Sequence, residues 1–254
     1  MKSTTPARHI GVKTPLHFLA LLFLAFACSC TNDEPTDDST SYPPEMLQED
    51  INTIEYFKDV ALGFENGQSS EITRKWATDM KIFISGNPGE LPKNYQIQQT
   101  LDEINSLATD GFQVEIVEDS LAANCHLYFA NADEIVAQFP DWGGPVDNSL
   151  GRFFVWWQSN RINRARIWVN NERGTPEQRQ SIIMEEITQA LGLGKDSSRY
   201  PGSIFYETPT NGGFATTYLD IDKELIRLLY HPDMTVGLNA PQVQRVLTDV
   251  LLSE

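Results

Sequence analysis

Residues 185–196 read Glu185-Glu186-Ile187-Thr188-Gln189-Ala190-Leu191-Gly192-Leu193-Gly194-Lys195-Asp196. Two adjacent carboxylates are followed, one helical turn later, by a carboxamide. On an α-helix residues four apart lie one above the other, so Glu185 and Gln189 share a face. Carboxylates held this way can move protons as general acids and bases, or offer oxygen ligands to a hard cation. Gly192 can end the helix, and just beyond it Lys195 and Asp196 add a cation and a third carboxylate. Glu186 is the candidate general base. Glu185, Gln189, Lys195 and Asp196 form the polar cluster expected around it.

The helix that must carry these residues is well marked. Thr175 is a natural N-cap, Pro176 suits the first helical position, and Gln178 completes a capping box. At 100° per residue, Ile183, Met184, Ile187, Ala190 and Leu191 fall on one face. Gln178, Ser181, Glu185 and Gln189 fall on the opposite one, with Glu186 at its flank and Ile182 as the one apolar intruder. Gly192 supplies a left-handed C-cap. The pattern predicts a helix over 175–191 at the floor of a cleft, its polar stripe toward the cleft and its apolar face toward the core.

The rest of the chain falls into an appendage and one domain. Lys2, Arg8 and Lys13 precede an apolar run from Leu16 to Ala27, which is the layout of a signal peptide and too short for a comfortable membrane span. The run ends in Ala25-Phe26-Ala27-Cys28-Ser29-Cys30, where small residues before a cysteine resemble a bacterial lipobox. Residues 1–30 are therefore expected to be a lipoprotein signal peptide and lipobox, with lipid on Cys28 or Cys30. The acidic residues that follow resemble a surface-export signal of some Gram-negative lipoproteins. Residues 31–44, rich in Asp, Ser, Thr and Pro, read as a disordered tether. Removing the leader takes away three basic and no acidic residues, moving the formal charge from −16 to −19. Such a surface argues against nucleic acid. Beyond the lipobox only Cys125 remains, so no intrachain disulfide can form, and a small buried hydrophobe is its expected role.

Within 45–254, period-3.6 patterns predict helices over 45–64, 94–108 and 131–139, and two more at the C-terminus. Alternation predicts five strands over 80–85, 112–117, 125–129, 151–158 and 165–170. Taken alone, this order says α/β or α+β. Phosphate loops, dinucleotide fingerprints, a Cys–His pair and internal repeats are absent from the sequence. Phe153, Phe154, Trp156 and Trp157 crowd one strand, where aromatics are core or, on an edge, a platform for a glycan.

Several motifs resemble zincins. There H-E-x-x-H places two imidazoles on zinc and a Glu as general base, and metzincins add a glycine and a third histidine. Here Glu185 and Gln189 stand at the two helix ligand positions, Glu186 at the base position, Gly192 at the glycine and Lys195 at the third ligand. Ser203-Ile204-Phe205-Tyr206 resembles the tight turn that metzincins run beneath the metal. More specifically, Ile72…Trp76, Ala165 to Asn170, the Glu185-Glu186-x-x-Gln189-x-Leu191-Gly192-Leu193 core with Asp196, Ser203-Ile204-Phe205, and Leu219-Asp220 through Pro232 resemble the bacterial family known as domain of unknown function 2927. That likeness spans about 72–238. It implies a degenerate metzincin-like fold, a twisted mixed five-stranded sheet packed on helices with a helical C-terminal subdomain, and a lipoprotein of the cell envelope.

Zinc prefers imidazole and thiolate. The mature chain has two histidines, His126 and His231, so a three-histidine site is impossible and no zinc is expected. Two routes to function remain. In one, the cleft is a non-catalytic binding or structural module, Lys195 stands in for the metal's charge by pairing with Glu185 or Glu186, and an extended peptide or a glycan occupies it. In the other, Glu185, Gln189 and Asp196 hold Ca²⁺ or Mg²⁺ and Glu186 acts as base in a hydrolase or peptidase. The first carries more weight, because Lys195 would repel a cation. Expected partners are a membrane, through the lipid, and the ligand of the cleft. The expected location is the outer membrane or surface of a Gram-negative cell.

Overall fold

The computed structural model describes residues 41–65, 69–87, 95–142, 149–208, 211–212 and 214–254. The expected signal peptide, Cys28, Cys30 and the tether as far as residue 40 lie outside the described residues. Those described all belong to one compact unit, Ser39–Glu254. The chain is already packed at Tyr42, whose hydroxyl donates to Glu55 Oε1 at 2.5 Å. Among the described residues, no helix is long and apolar enough to cross a membrane.

In chain order the elements are α1 (Gln48–Ala61), β1 (Lys75–Trp76), β2 (Met80–Gly86), α2 (Tyr95–Leu107), β3 (Val114–Ile116), β4 (Cys125–Ala130), α3 (Ala132–Gln138), β5 (Gly151–Gln158), β6 (Arg161–Asn170), α4 (Pro176–Ala190), β7 (Glu207–Thr208), β8 (Asn211–Gly212), α5 (Asp220–Leu229) and α6 (Ala240–Leu252). All six anticipated helices form, within a few residues of their expected ends. The five anticipated strands are β2 to β6. The sheet has a sixth, β1, because Lys75 and Trp76 pair in parallel with Arg161 and Ile162. Two residues are too few for alternation to reveal.

The sheet is mixed. Strands β1, β6, β4, β2 and β3 run parallel, and β5 adds to the outer edge of β6 in the opposite sense. The register places Ile84, Leu127, Ile167 and Phe153 in one row across four strands, and Phe83, His126, Arg166 and Phe154 in the next. The first row faces the main core, where Leu127 and Ile167 have no exposure. The second faces the other side, where Trp142 and Trp168 form a smaller cluster with Ile135 of α3. Ser159 and Asn160, both at positive φ, make the two-residue turn between β5 and β6. This is the turn geometry that matches strand twist. It starts β6 earlier than expected, at Arg161.

Helix α4 lies across β5 and β6. Its Thr175–Gln178 capping box forms as expected. Ile183, Ile187 and Leu191 are buried, each worth about 1.5–3 kcal/mol of apolar burial. The carbonyls at its C-terminal end, orphaned in any helix, find donors from afar. Trp76 Nε1 donates to the Ala190 carbonyl at 2.8 Å, and the Tyr230 hydroxyl donates to that of Leu191 at 2.9 Å. Cys125 is fully buried, and burial pushes its thiol pKa up, consistent with a packing role.

Candidate functional site

The polar face of α4 opens on a cavity of about 320 Å³. Its floor is Ile182, Glu185, Glu186 and Gln189 of α4. One wall is the start of β5, Gly151 to Phe153, and the other is made by Glu65, Asp196 and Glu207. So Glu185, Glu186, Gln189 and Asp196 line one cavity. Two further carboxylates join them, and sequence reasoning missed both.

Two backbone bridges explain how. Gly194 pairs with Phe64, and Ser197 pairs with Tyr206. The Glu65 N–H donates to the Gly194 carbonyl at 3.1 Å, and the Glu207 N–H to that of Ser197 at 3.3 Å. The segment after α4 is thus held between the chain leaving α1 and the chain entering β7. Each of the three contributes an acid. Carboxylate oxygens of Glu65, Asp196 and Glu207 lie within 4.8 Å of one another. The Asp196 N–H donates to Glu65 Oε1 at 2.9 Å, and Gln189 Nε2 donates to Asp196 Oδ1 at 2.7 Å. Glu207 follows Tyr206 of the turn that the motif reading singled out, which is a weak local signal. Nothing local points to Glu65.

Lys195 does not enter the cavity. Its backbone N–H donates to the Val60 carbonyl, and its ammonium pairs with Glu71 Oε1 at 3.2 Å, on the outside. The expected pairing with Glu185 or Glu186 is therefore corrected. Gly192, at φ +124°, and the bridge at Gly194 turn the chain so that residues 195 and 196 point opposite ways. Among the described residues, the cation that lines the cavity is Arg152.

The electrostatics follow from this imbalance. Burial, then Glu207 and Glu65, pushes the Glu185 pKa up to about 8. Burial, then a hydrogen bond with Glu207 and the charges of Glu65 and Glu185, pushes Asp196 up to about 10. Glu186, 6% exposed, is raised well above the carboxylate range by burial first, then by Glu185 and Glu65, with Arg152 pulling the other way. Clustered carboxylates in low dielectric cannot all ionise cheaply. Glu186 forms no hydrogen bond or ion pair among the described residues, and its Oε1 would lie 2.8 Å from a Cβ placed on Gly151. Gly151 is what lets β5 come this close to α4.

The turn 200–206 is fixed to α1 and α5 by a network that sequence reasoning also missed. Ser203 Oγ donates to Asp222 Oδ1 at 2.6 Å, and it accepts from the Phe205 N–H and hydrogen-bonds the Tyr56 hydroxyl. Asp222 Oδ2 accepts from Ile204 and Leu219 N–H groups. Phe205 is fully buried in the main core. The two histidines stand elsewhere. His126 hydrogen-bonds Tyr128 at 3.0 Å, and His231 Nδ1 accepts from the Asp233 N–H at 3.2 Å. The aromatic strand is largely engaged by its own neighbours. Phe153 is in the core, Trp157 stacks on Phe64 with the Arg74 guanidinium 4.5 Å from its ring, and Trp156 carries Arg164 at 4.0 Å.

No curated protein matches the chain. Among solved structures, the crystal structure of myroilysin aligns over 68% of this chain and 94% of its own, at 12% identity and a TM-score of 0.34. A family model described as "Protein of unknown function (DUF2927)" matches residues 50–249, and the chain belongs to that family.

Proposed function

We propose that this protein is a lipid-anchored module of the cell envelope whose metzincin-like domain binds a positively charged ligand in its cleft and does not hydrolyse it. One observation carries the reading. Glu65, Glu185, Glu186, Asp196 and Glu207 line one small cavity, with Arg152 as the cation in its wall and Lys195 turned outward to Glu71. Burying this much like charge is costly unless a cation offsets it. The metzincin-like reading is supported by the spacing Glu185-Glu186-x-x-Gln189-x-x-Gly192-x-x-Lys195 on and just beyond the helix at the cavity floor, with Ile204 and Phe205 in the core that also holds its apolar face. Among the described residues β5 pairs with no strand but β6, and it runs beside the cavity, where an extended segment could add by main-chain hydrogen bonds.

Lipid on Cys28 or Cys30 rests on the sequence order of charge, apolar run and small residues before cysteine. Intact-mass measurement of the protein from the membrane fraction tests it: acyl mass on one of the two cysteines is expected, and a mature chain without it refutes the anchor. The binding reading is tested by titrating the full-length protein with small cations and basic peptides. Saturable binding that weakens in Glu185→Gln is expected, and indifference to every cation sinks it.

A hydrolase is the second reading, favoured by the Glu185–Glu186 pair. A carboxyl with a pKa near neutrality suits proton transfer at physiological pH. In that case Glu186→Gln abolishes turnover of a peptide or glycan substrate while leaving the fold intact. The absence of turnover across both substrate classes rules it out.

A further inference from the structure

We infer that the ligand of the cleft is a calcium ion, held by the carboxylates of Glu65, Asp196 and Glu207 with Glu185 completing the acidic side. This deepens, and rests on, the reading of the cleft as a site for a positive charge.

The donors are all oxygens, and they come from three chain segments bridged side by side at Phe64–Gly194 and Ser197–Tyr206. Calcium takes 6–8 oxygen ligands at about 2.3–2.6 Å, so oxygens on opposite sides of one ion lie about 4.6–5.2 Å apart. Three carboxylate oxygens within 4.8 Å of one another fit around a single such ion. Magnesium bonds at about 2.0–2.1 Å and demands near-octahedral order, which draws its ligands closer. Zinc favours imidazole and thiolate, and no histidine or cysteine lines the cavity among the described residues.

An acidic cluster alone would not make a site. The second observation is Glu186. Its side chain is buried to 94% and lines the cavity, and it has no hydrogen-bond or ion-pair partner among the described residues. A carboxylate so buried, with no protein donor and its oxygens open on the cavity, is placed to meet a group that enters there. It marks a group whose partner comes from outside the chain. Gln189 is a positioning residue here, since its amide N–H holds Asp196 Oδ1. Glu65 and Glu207 are exposed, so the ion has an open path from solvent. The ion would tie together α1, the end of α4 and the turn leading to β7.

The test is calorimetric titration of the full-length chain in detergent, after chelator treatment, with CaCl₂, MgCl₂ and ZnCl₂ in turn, alongside melting curves. One calcium per chain and a higher melting temperature are expected, at affinities in the range of extracellular calcium modules, about 10⁻⁴–10⁻³ M. Glu65→Gln and Glu207→Gln should each weaken calcium by about tenfold or more. Glu71→Gln, outside the cleft, should leave it unchanged. No response up to about 10 mM calcium, a calcium response that survives the Glu65→Gln/Glu207→Gln double variant, or tighter binding of zinc by the same residues overturns the assignment. A lysine-rich peptide separates the two readings. If it binds in a Glu207-dependent way and calcium does not, calcium falls and the positively charged ligand stands. If neither binds, both fall.

Discussion

Asp222 has no exposed surface, yet its two oxygens accept three hydrogen bonds, two of which hold the turn 200–206 to α5. Ser203 sits between it and Tyr56, so Ser203→Ala strips a buried donor from Asp222 and a partner from Tyr56. Leaving buried polar groups unsatisfied costs about 1–3 kcal/mol, and that loss is expected in chemical denaturation of the variant. Lys195→Ala should behave differently. Its partner Glu71 is 78% exposed, and exposed ion pairs contribute about 0–1 kcal/mol. A change below about 1 kcal/mol is therefore expected. A larger drop would mean that the ammonium reaches the cleft carboxylates in solution. Lys195 is also the residue whose role was misread from spacing. Position relative to a motif fixes where a backbone passes, but two glycines decide which way the side chain leaves it.

At the scale of elements, α4 was legible because its signals are local: a capping box, a proline at the first position, a 3.6-residue apolar period and a terminal glycine. The strands β2 to β6 were legible through alternation, and β1 was not, being two residues long. The cleft was half legible. Glu185, Glu186, Gln189 and Asp196 share one helix and its exit, whereas Glu65 lies 131 residues from Asp196 and arrives through a single backbone bridge. Sequence spacing carries no trace of such a bridge. Two glycines set how closely these elements meet, and they should respond differently to a methyl group. At Gly192 a Cβ would lie 2.0 Å from the Arg74 carbonyl oxygen, on a backbone already at φ +124°. Backbone cannot move aside cheaply, and Gly192→Ala is expected to cost more than about 2 kcal/mol. At Gly151 a Cβ would lie 2.2 Å from the Cγ2 of Ile182, held by a stiff β-branched χ1 within α4, and 2.8 Å from the carboxylate of Glu186, which can rotate. Gly151→Ala should lose stability as well and, unlike Gly192→Ala, disturb ligand binding directly, because it moves Glu186. Thermal melts and titrations on the two variants measure both halves of this contrast.

At the scale of the whole molecule, the formal charge of −16 and the concentration of acids in one cavity make pH a direct probe of the cleft. In the metal-free protein, Glu185 and Asp196 are raised from ordinary values of 4.5 and 3.8 to about 8 and about 10. Between those limits the folded state binds more protons than the unfolded one, so stability must fall as pH rises. The contribution is fully present below the ordinary carboxylate range and is lost as pH passes through about 8 and then about 10. The facing groups are Glu65, Glu186 and Glu207, which deepen the effect, and Arg152, which opposes it. Glu55 works in the opposite direction. There Lys58 and Tyr42 outweigh burial and hold the pKa down, so its stabilisation is lost in acid. Asp222, raised by burial, adds to the downward slope without touching the cleft. Melting temperatures recorded in chelator from about pH 5 to pH 9 should therefore decline steadily. Asp196→Asn should reduce the decline, leaving the part due to Glu185, Glu186 and Asp222. A bound cation should flatten it as well, since it favours the ionised carboxylates that the apo cleft resists. A metal-free melting temperature that rises across this window would show that the cleft carboxylates ionise freely, and that they are not held together in a confined space.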